Sequence, residues 1–189
     1  EPFDNFENIL DFIDLLNNPK SLAIGARHIT VSTVGLVPKI KEFADVKLQV
    51  KLAISLHAAT DEKRNQIMPI NNAYPLKEVL SAVKYYESKT NKRVTYEYIM
   101  LNDFNDTLED ARALVNLVKG TNGFVNLIAY NPIAEFDYEP STRDHVYKFA
   151  NYLKSMGVQT TVRKEFGSDI DAACGQLRAK VEKKRGNNS

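Results

Sequence analysis

The stretch VKLAISLHA (50–58), followed by PLKEVLSAVKYYE (75–87) and then by RVTYEYIML (93–101), decides the fold. The first segment is almost continuously apolar, the pattern of a strand covered on both faces. In the second, Leu76, Val79, Leu80, Val83 and Tyr86 recur at intervals of three and four, which predicts one apolar helical face. The third is again rich in β-branched and aromatic residues and reads as a strand. Strand, helix and strand in this order require a crossover between parallel strands. Right-handed crossovers build either an open doubly wound sheet or a barrel.

The alternation extends in both directions. Upstream, NFENILDFIDLL (5–16) sets Phe6, Ile9, Leu10, Ile13 and Leu16 at helical spacing before Pro19 closes the segment. HITVST (28–33) predicts a strand turning at Gly35, and Pro38 opens a short helix through Phe43. Downstream, TLED (107–110) has the capping-box order with Asp110 replacing the usual glutamate, and Leu108, Ala111, Leu114, Val115 and Val118 follow on one face. FVNLIAY (124–130) is the next strand, STRDHVYKFANYLKSMG (141–157) a capped helix ending at Gly157, and VQTTVR (158–163) the last strand. No GxGxxG or GxxxxGK[ST] opens any of these helices, so nucleotide binding of the Rossmann or P-loop kind has no support. The fold class expected is α/β, on the barrel side. A chain that starts on a helix and holds five strands looks like an incomplete (β/α) barrel, N-terminally truncated and lacking its first strands.

Composition narrows the function classes. At 189 residues, 43% apolar and 26% charged, the chain has enough core for a globular domain. Its single cysteine permits no intrachain disulfide, CxxC pair or cysteine-rich metal site, which fits a reducing, cytoplasmic setting. No apolar run is long enough to span a bilayer, so a soluble chain is expected. The net charge of +1 neither demands nor excludes nucleic acid, although Arg163, Lys164 and the segment LRAKVEKKRG (177–186) make the last part basic. No Pro- or Ser-rich linker interrupts residues 1–165, which read as one partial barrel, with 166–189 a loop and a basic helix or tail.

Parallel strands of such folds carry function at their carboxyl ends, where the following loops surround a shared mouth. Those ends bring Ser32, then Ser55 and His57, then Asn131, then Arg163 and Lys164. Each has a plain structural alternative: a loop cap, a satisfied buried histidine, a turn residue before Pro132. Their convergence at one rim suits a small polar ligand. Glu97, in mid-strand, points either inward as an acid or outward beneath the helices. No GxSxG surrounds a serine, and the three histidines lack an HExxH frame, so hydrolase and zinc chemistry are unsupported. Cys174, in GSDIDAACGQLRAK (167–180), is either a small packed hydrophobe or a thiol on a catalytic loop.

The strings AISLHA (53–58), MPIN (68–71), VTYEYIML (94–101), LIAYNP (127–132) and above all RKEFGSDIDAACGQL (163–177) together resemble the radical S-adenosylmethionine adenine methyltransferases of RNA, the RlmN and Cfr family. The resemblance runs from the first residues to about Leu177. It implies an incomplete α/β barrel whose initial Glu1-Pro2 corresponds to the end of a GEP motif. It further implies that Glu1, Ser32, Ser55, Leu56, His57 and Asn131 line the S-adenosylmethionine pocket, and that Arg163 and Lys164 support RNA or the thiolate. The family's CxxxCxxC motif for a [4Fe-4S] cluster is not in this sequence, so the chain reads as a C-terminal part and is expected to be inactive by itself.

The same resemblance implies a radical route, because C2 and C8 of adenine are electron-poor carbons without a lone pair. Cys174 would first take a methyl group as a nucleophile. A deoxyadenosyl radical from a second S-adenosylmethionine would then abstract hydrogen from the methylated sulfur, and the carbon radical would add to the ring. The implied partners are 23S rRNA and transfer RNA, with an electron donor such as flavodoxin, and the implied state is a monomer. RlmN-type C2 methylation is the first expectation. Cfr-type C8 methylation and a non-catalytic module binding RNA or a nucleoside are the alternatives.

Overall fold

A computed structural model of the chain describes residues 1–132 and 136–163. Five parallel strands form one sheet among them: β1 (Thr30–Thr33), β2 (Lys51–Ser55), β3 (Val94–Met100), β4 (Phe124–Ala129) and β5 (Thr160–Val162). Their order across the sheet is β1-β2-β3-β4-β5, the order of the chain. A doubly wound sheet must reverse direction at a switch point. Here no reversal occurs, so right-handed crossovers stack their helices on the same side, as in a sector of a barrel.

Six α-helices accompany the strands: α1 (Phe6–Asn17), α2 (Val37–Asp45), α3 (Asp61–Ile67), α4 (Leu76–Thr90), α5 (Leu108–Val118) and α6 (Arg143–Ser155). The capping box at Thr107 is complete, the hydroxyl accepting from the Asp110 amide and the Asp110 carboxylate accepting from the Thr107 amide. Under the helices lies a single core. Leu52, Ile54, Val94, Tyr96, Tyr98, Val125 and Leu127 from the strands meet Ile40, Phe43, Val79, Val83, Tyr86, Leu114 and Phe149 from the helices.

The opposite face differs from the expectation for 50–58. In β2 the alternate residues Lys51 and Ser55 are exposed or half-buried, and only small Ala53 is fully covered. The apolar run comes from Leu52, Ile54 and Leu56, which enter the helical core, while Ala53 adds an apolar letter without needing a second helical layer. One face of the sheet is thus packed. The other carries polar side chains.

The sequence pattern did not predict α3 or the 3₁₀ turn at Pro69–Asn72, because DEKRNQI has no apolar stripe. Its anchor is a charge. Arg64 is fully buried, and its guanidinium donates to the carbonyls of Leu56 (3.1 Å), Val34 (2.6 Å) and Ser55 (3.2 Å) and to Asn71 Oδ1 (2.9 Å). Asn71 passes the constraint on by donating to Asp61 and Asn65, and Asp61 also accepts from the Leu76 amide at the start of α4. Gly35 makes room for it. Its φ is +107°, and an added Cβ would lie 3.1 Å from Val79 Cγ2 and 3.5 Å from an Arg64 nitrogen. Burial pulls the Arg64 pKa down to about 10, against the opposing pull of Asp61, so the side chain stays charged at neutral pH.

Replacing Arg64 by Met is expected to strand three carbonyls and an amide oxygen and to lower stability by about 3–5 kcal/mol in urea unfolding. Arg64→Lys should recover only a minor part, since an ammonium does not present the planar fork. A Met variant within 1 kcal/mol of the parent, about the net value of one hydrogen bond, would show that Arg64 does not pin these loops.

Candidate functional site

On the face that no described helix covers, the bare face of the sheet, the side chains come from alternate positions on each strand. Ser55 on β2, Glu97 on β3, Asn126 on β4 and Thr161 on β5 are in register, and Ser32 on β1, whose partner is Ala53, lies diagonally beside Ser55. Two groups of them hydrogen-bond, the serine pair and the Glu97–Asn126–Thr161 chain. The Ser32 and Ser55 hydroxyls lie 3.4 Å apart; Thr161 donates to Asn126 Oδ1 at 2.8 Å, and Asn126 Nδ2 donates to Glu97 Oε2 at 2.8 Å. Burial raises the pKa of Glu97, opposed by the Asn126 bond and the positive charge of Arg163. Glu97 therefore points onto the bare face, which resolves the two alternatives its position allowed.

Glu1 sits at the carboxyl edge of β1. One of its carboxylate oxygens accepts from the Phe3 amide at 3.0 Å and the other from the Val34 amide at 2.7 Å. That fixes an exposed carboxylate at the turn after β1, with acceptor capacity left on its oxygens.

Residues 56–57 turn sharply. Both their amides share the Glu97 carbonyl, at 3.0 and 3.2 Å, and His57 adopts a left-handed φ of 58°, a region uncommon for residues other than Gly in which Asn, Asp and His are the enriched side chains. Asn105, fully buried, locks the turn: Nδ2 donates to the His57 carbonyl (2.8 Å) and the Ile99 carbonyl (2.7 Å), while Oδ1 accepts from the Leu101 amide (2.8 Å). His57 Nδ1 accepts from the Ile99 amide at 3.2 Å. An acceptor at Nδ1 fixes the neutral tautomer with its proton on Nε2. The residue as a whole is half-buried, and burial of the ring, with the Arg64 charge second, pushes its pKa down to about 4.

The other expected site residues divide into three groups. Leu56 buries its side chain in the core, and its carbonyl and amide are taken by Arg64 and Glu97, so its part is to shape the turn that presents Ser55 and His57. Asn131 is half-buried just after β4, and Arg163 is exposed just after β5, its amide donating to the Leu127 carbonyl. Cys174 and Lys164 lie outside the described residues. Asn126, Thr161 and Asn105 escaped the sequence reading. Asn126 and Thr161 alternate with Leu127 and Val162, a signal of an inward face that strand-end searching passes over; Asn105 sits in a turn-rich NDFND that gives no hint of burial. The 660 Å³ groove lined by Lys77, Ser81, Lys84 and Asn116 lies on the helical side, away from this polar band.

No family model matches the chain. A probable dual-specificity RNA methyltransferase RlmN from Spiroplasma citri is 56% identical over 182 residues, 96% of this chain and 52% of that protein. Over nearly its whole length the chain is thus similar to RlmN methyltransferases. The RlmN of Staphylococcus aureus strain JH9 is 51% identical over 180 residues, 95% of this chain and 50% of its own length. The chain thus spans about half the length of the curated relatives it matches, and a 182-residue match within 189 residues necessarily takes in Cys174. Among solved structures, a radical SAM methyltransferase from Sphaerobacter thermophilus superposes with a TM-score of 0.89 at 40% identity, over 93% of this chain and 52% of its own. A domain of a pyruvate-formate lyase-activating enzyme from Bacteroides vulgatus, 12% identical with a TM-score of 0.65 over 87% of this chain and 94% of its own, shares the fold. Both superpositions agree with the parallel α/β sheet described above.

The His57 geometry has a pH consequence. An unfolded histidine titrates near 6.5 and the folded ring near 4, so between those values the unfolded chain binds more protons. The contribution is whole above about pH 6.5 and falls as the pH drops toward 4, by on the order of 2–3 kcal/mol after allowing for residual solvent contact. Thermal melting should show this slope in the parent and a flatter one in His57→Asn, which tolerates the left-handed backbone. Parallel profiles for the two would contradict the neutral, amide-bonded ring.

Proposed function

We propose that the chain is part of a radical S-adenosylmethionine RNA methyltransferase that places a methyl group on C2 of an adenosine in 23S rRNA and in transfer RNA, working as a cytoplasmic monomer with a flavodoxin-like electron donor. The observation that carries this reading is the set of Glu1, Ser55 and His57 at the carboxyl edge of the sheet, next to the polar Ser32, in a chain 56% identical to an RlmN. The residues present fit S-adenosylmethionine: a carboxylate for its ammonium, hydroxyls for its ribose and carboxylate, and a neutral ring donor. When bound, that cofactor supplies an electrophilic methyl group and, once reduced, a carbon radical. They do not fit a [4Fe-4S] cluster, which needs thiolates from several cysteines where this sequence has one.

In this reading Glu1, already oriented by two backbone amides, receives the amino group. Ser32 and Ser55 hydrogen-bond the polar edge of the ligand, Asn131 closes the pocket from β4, and Leu56 holds the turn. His57 offers Nε2–H without carrying a charge, which avoids repulsion toward a sulfonium. Cys174 is the thiol that accepts a methyl group on sulfur, its proton leaving as the S–C bond forms. A neutral thiol is a poor nucleophile, since an ordinary cysteine has a pKa of about 8.5. Arg163 and Lys164 are the cations we assign to lowering it or to holding RNA phosphate.

The test is mass spectrometry of nucleosides after reaction of the complete protein with RNA and S-adenosylmethionine under reducing, anaerobic conditions. It should yield 2-methyladenosine, and Cys174→Ala should abolish it. Exclusive 8-methyladenosine would overturn the C2 assignment, and no methylated nucleoside at all would favour a binding module. Ser55→Ala, removing about one hydrogen bond, is expected to raise the S-adenosylmethionine KM roughly five- to tenfold with kcat little changed.

A further inference from the structure

The bare face of the sheet has a second end. Four residues or fewer before the polar band on each strand, the same alternate positions hold Thr30, Lys51, Thr95 and Phe124. By strand rise, Lys51 lies about 13 Å from Ser55, at the amino edge of the sheet. A 510 Å³ cavity opens there, and Arg27, Lys92 and Arg93 join Lys51 around it. Four cations share this cavity, and none forms an ion pair among the described residues.

Like charges gathered around one cavity repel, and the effect is visible at Lys92. Its pKa is lowered by burial and then by the charges of Arg27 and Lys51. Lys92 is nevertheless held in place, donating to the Gln49 carbonyl at 3.0 Å and to Gln49 Oε1 at 2.9 Å. Arg93 is likewise steadied by Gln159 Oε1 at 2.8 Å. Two of the cations are therefore positioned by neutral amide oxygens that leave their charge unneutralised. Thr30 and Thr95 add hydroxyls to the lining, and the half-buried Phe124 adds an aromatic surface.

We propose that this cavity at the amino edge of the barrel is a phosphate-binding site, separate from the methylation site at the carboxyl edge. Guanidinium forks and an ammonium are the donors that phosphate oxygens take, with hydroxyls completing the shell. An aromatic ring among them suits a phosphate that carries a base. The phosphate has two possible sources, a single-stranded RNA backbone or a free phosphate compound. The RNA source rests on the function proposed above; the phosphate chemistry does not.

Two variants of the complete protein test it: Arg27→Glu with Lys51→Glu, and the milder Arg27→Gln with Lys51→Gln. Neither residue makes a side-chain hydrogen bond among those described, so both variants should melt like the parent. Isothermal titration would use inorganic pyrophosphate and, separately, a single-stranded RNA dodecamer over a range of salt concentrations. Charge reversal is expected to weaken pyrophosphate at least tenfold, or to lessen the RNA salt slope by about 1.4 for two lost phosphate contacts, with the Gln pair intermediate. A change with pyrophosphate alone assigns a free phosphate compound; a change with RNA alone assigns the backbone. Affinities within twofold of the parent for both ligands in both variants would overturn the site. Pyrophosphate binding that charge reversal abolishes, in a protein without methyltransferase activity, would sink the function proposed above and leave this inference standing.

Discussion

A single buried guanidinium holds the carboxyl edge of this sheet together. Arg64 gathers the carbonyls of Val34, Ser55 and Leu56, which belong to the ends of two neighbouring strands, and ties them through Asn71 to the helix that follows. A charge out of water is costly unless its donors are satisfied, so these carbonyls are held where they are by the penalty for leaving it unpaired. The consequence is local rigidity where function needs it. Ser55 and His57 flank the pinned Leu56, and Glu1 reaches the Val34 amide on the adjacent turn.

Topology then decides what that rigid edge faces. Because the strands follow chain order without reversal, the helices cover one side and leave polar alternate residues on the other. That uncovered side divides electrically along the strands. Glu1 and Ser55 lie at its carboxyl edge, the Thr161–Asn126–Glu97 chain crosses its middle, and Lys51 and three further cations gather at its amino edge. Such a surface offers a cationic, hydroxyl-bearing cofactor one end and an anion the other. This division follows from which residue types occupy odd and even positions of five short strands.

Much of this arrangement could be read before any coordinates. The three- and four-residue spacing of Val79, Val83 and Tyr86 and the capping order at Thr107 marked α4 and α5, since periodicity reports burial directly. The rim residues Ser32, Ser55, His57 and Asn131 followed from strand ends alone. What the sequence could not reveal were polar residues whose partners are distant in the chain. Arg64 sits in a run of charges and looks solvated, yet it bonds to a carbonyl 30 positions away. Asn105 bonds to residue 57 across two strands. Neither leaves a periodic trace, because a buried hydrogen-bond network is specified by geometry in three dimensions.

Under the proposed function the pinned carboxyl edge, rather than the helical surface, receives S-adenosylmethionine. Amide hydrogen exchange of the complete protein with and without that cofactor tests it most directly. Added protection is expected at Val34, at Ser55–His57 and around Asn131, with α4 and α5 unchanged. Protection confined to the groove between α4 and α5, with the strand ends exchanging as before, would contradict it.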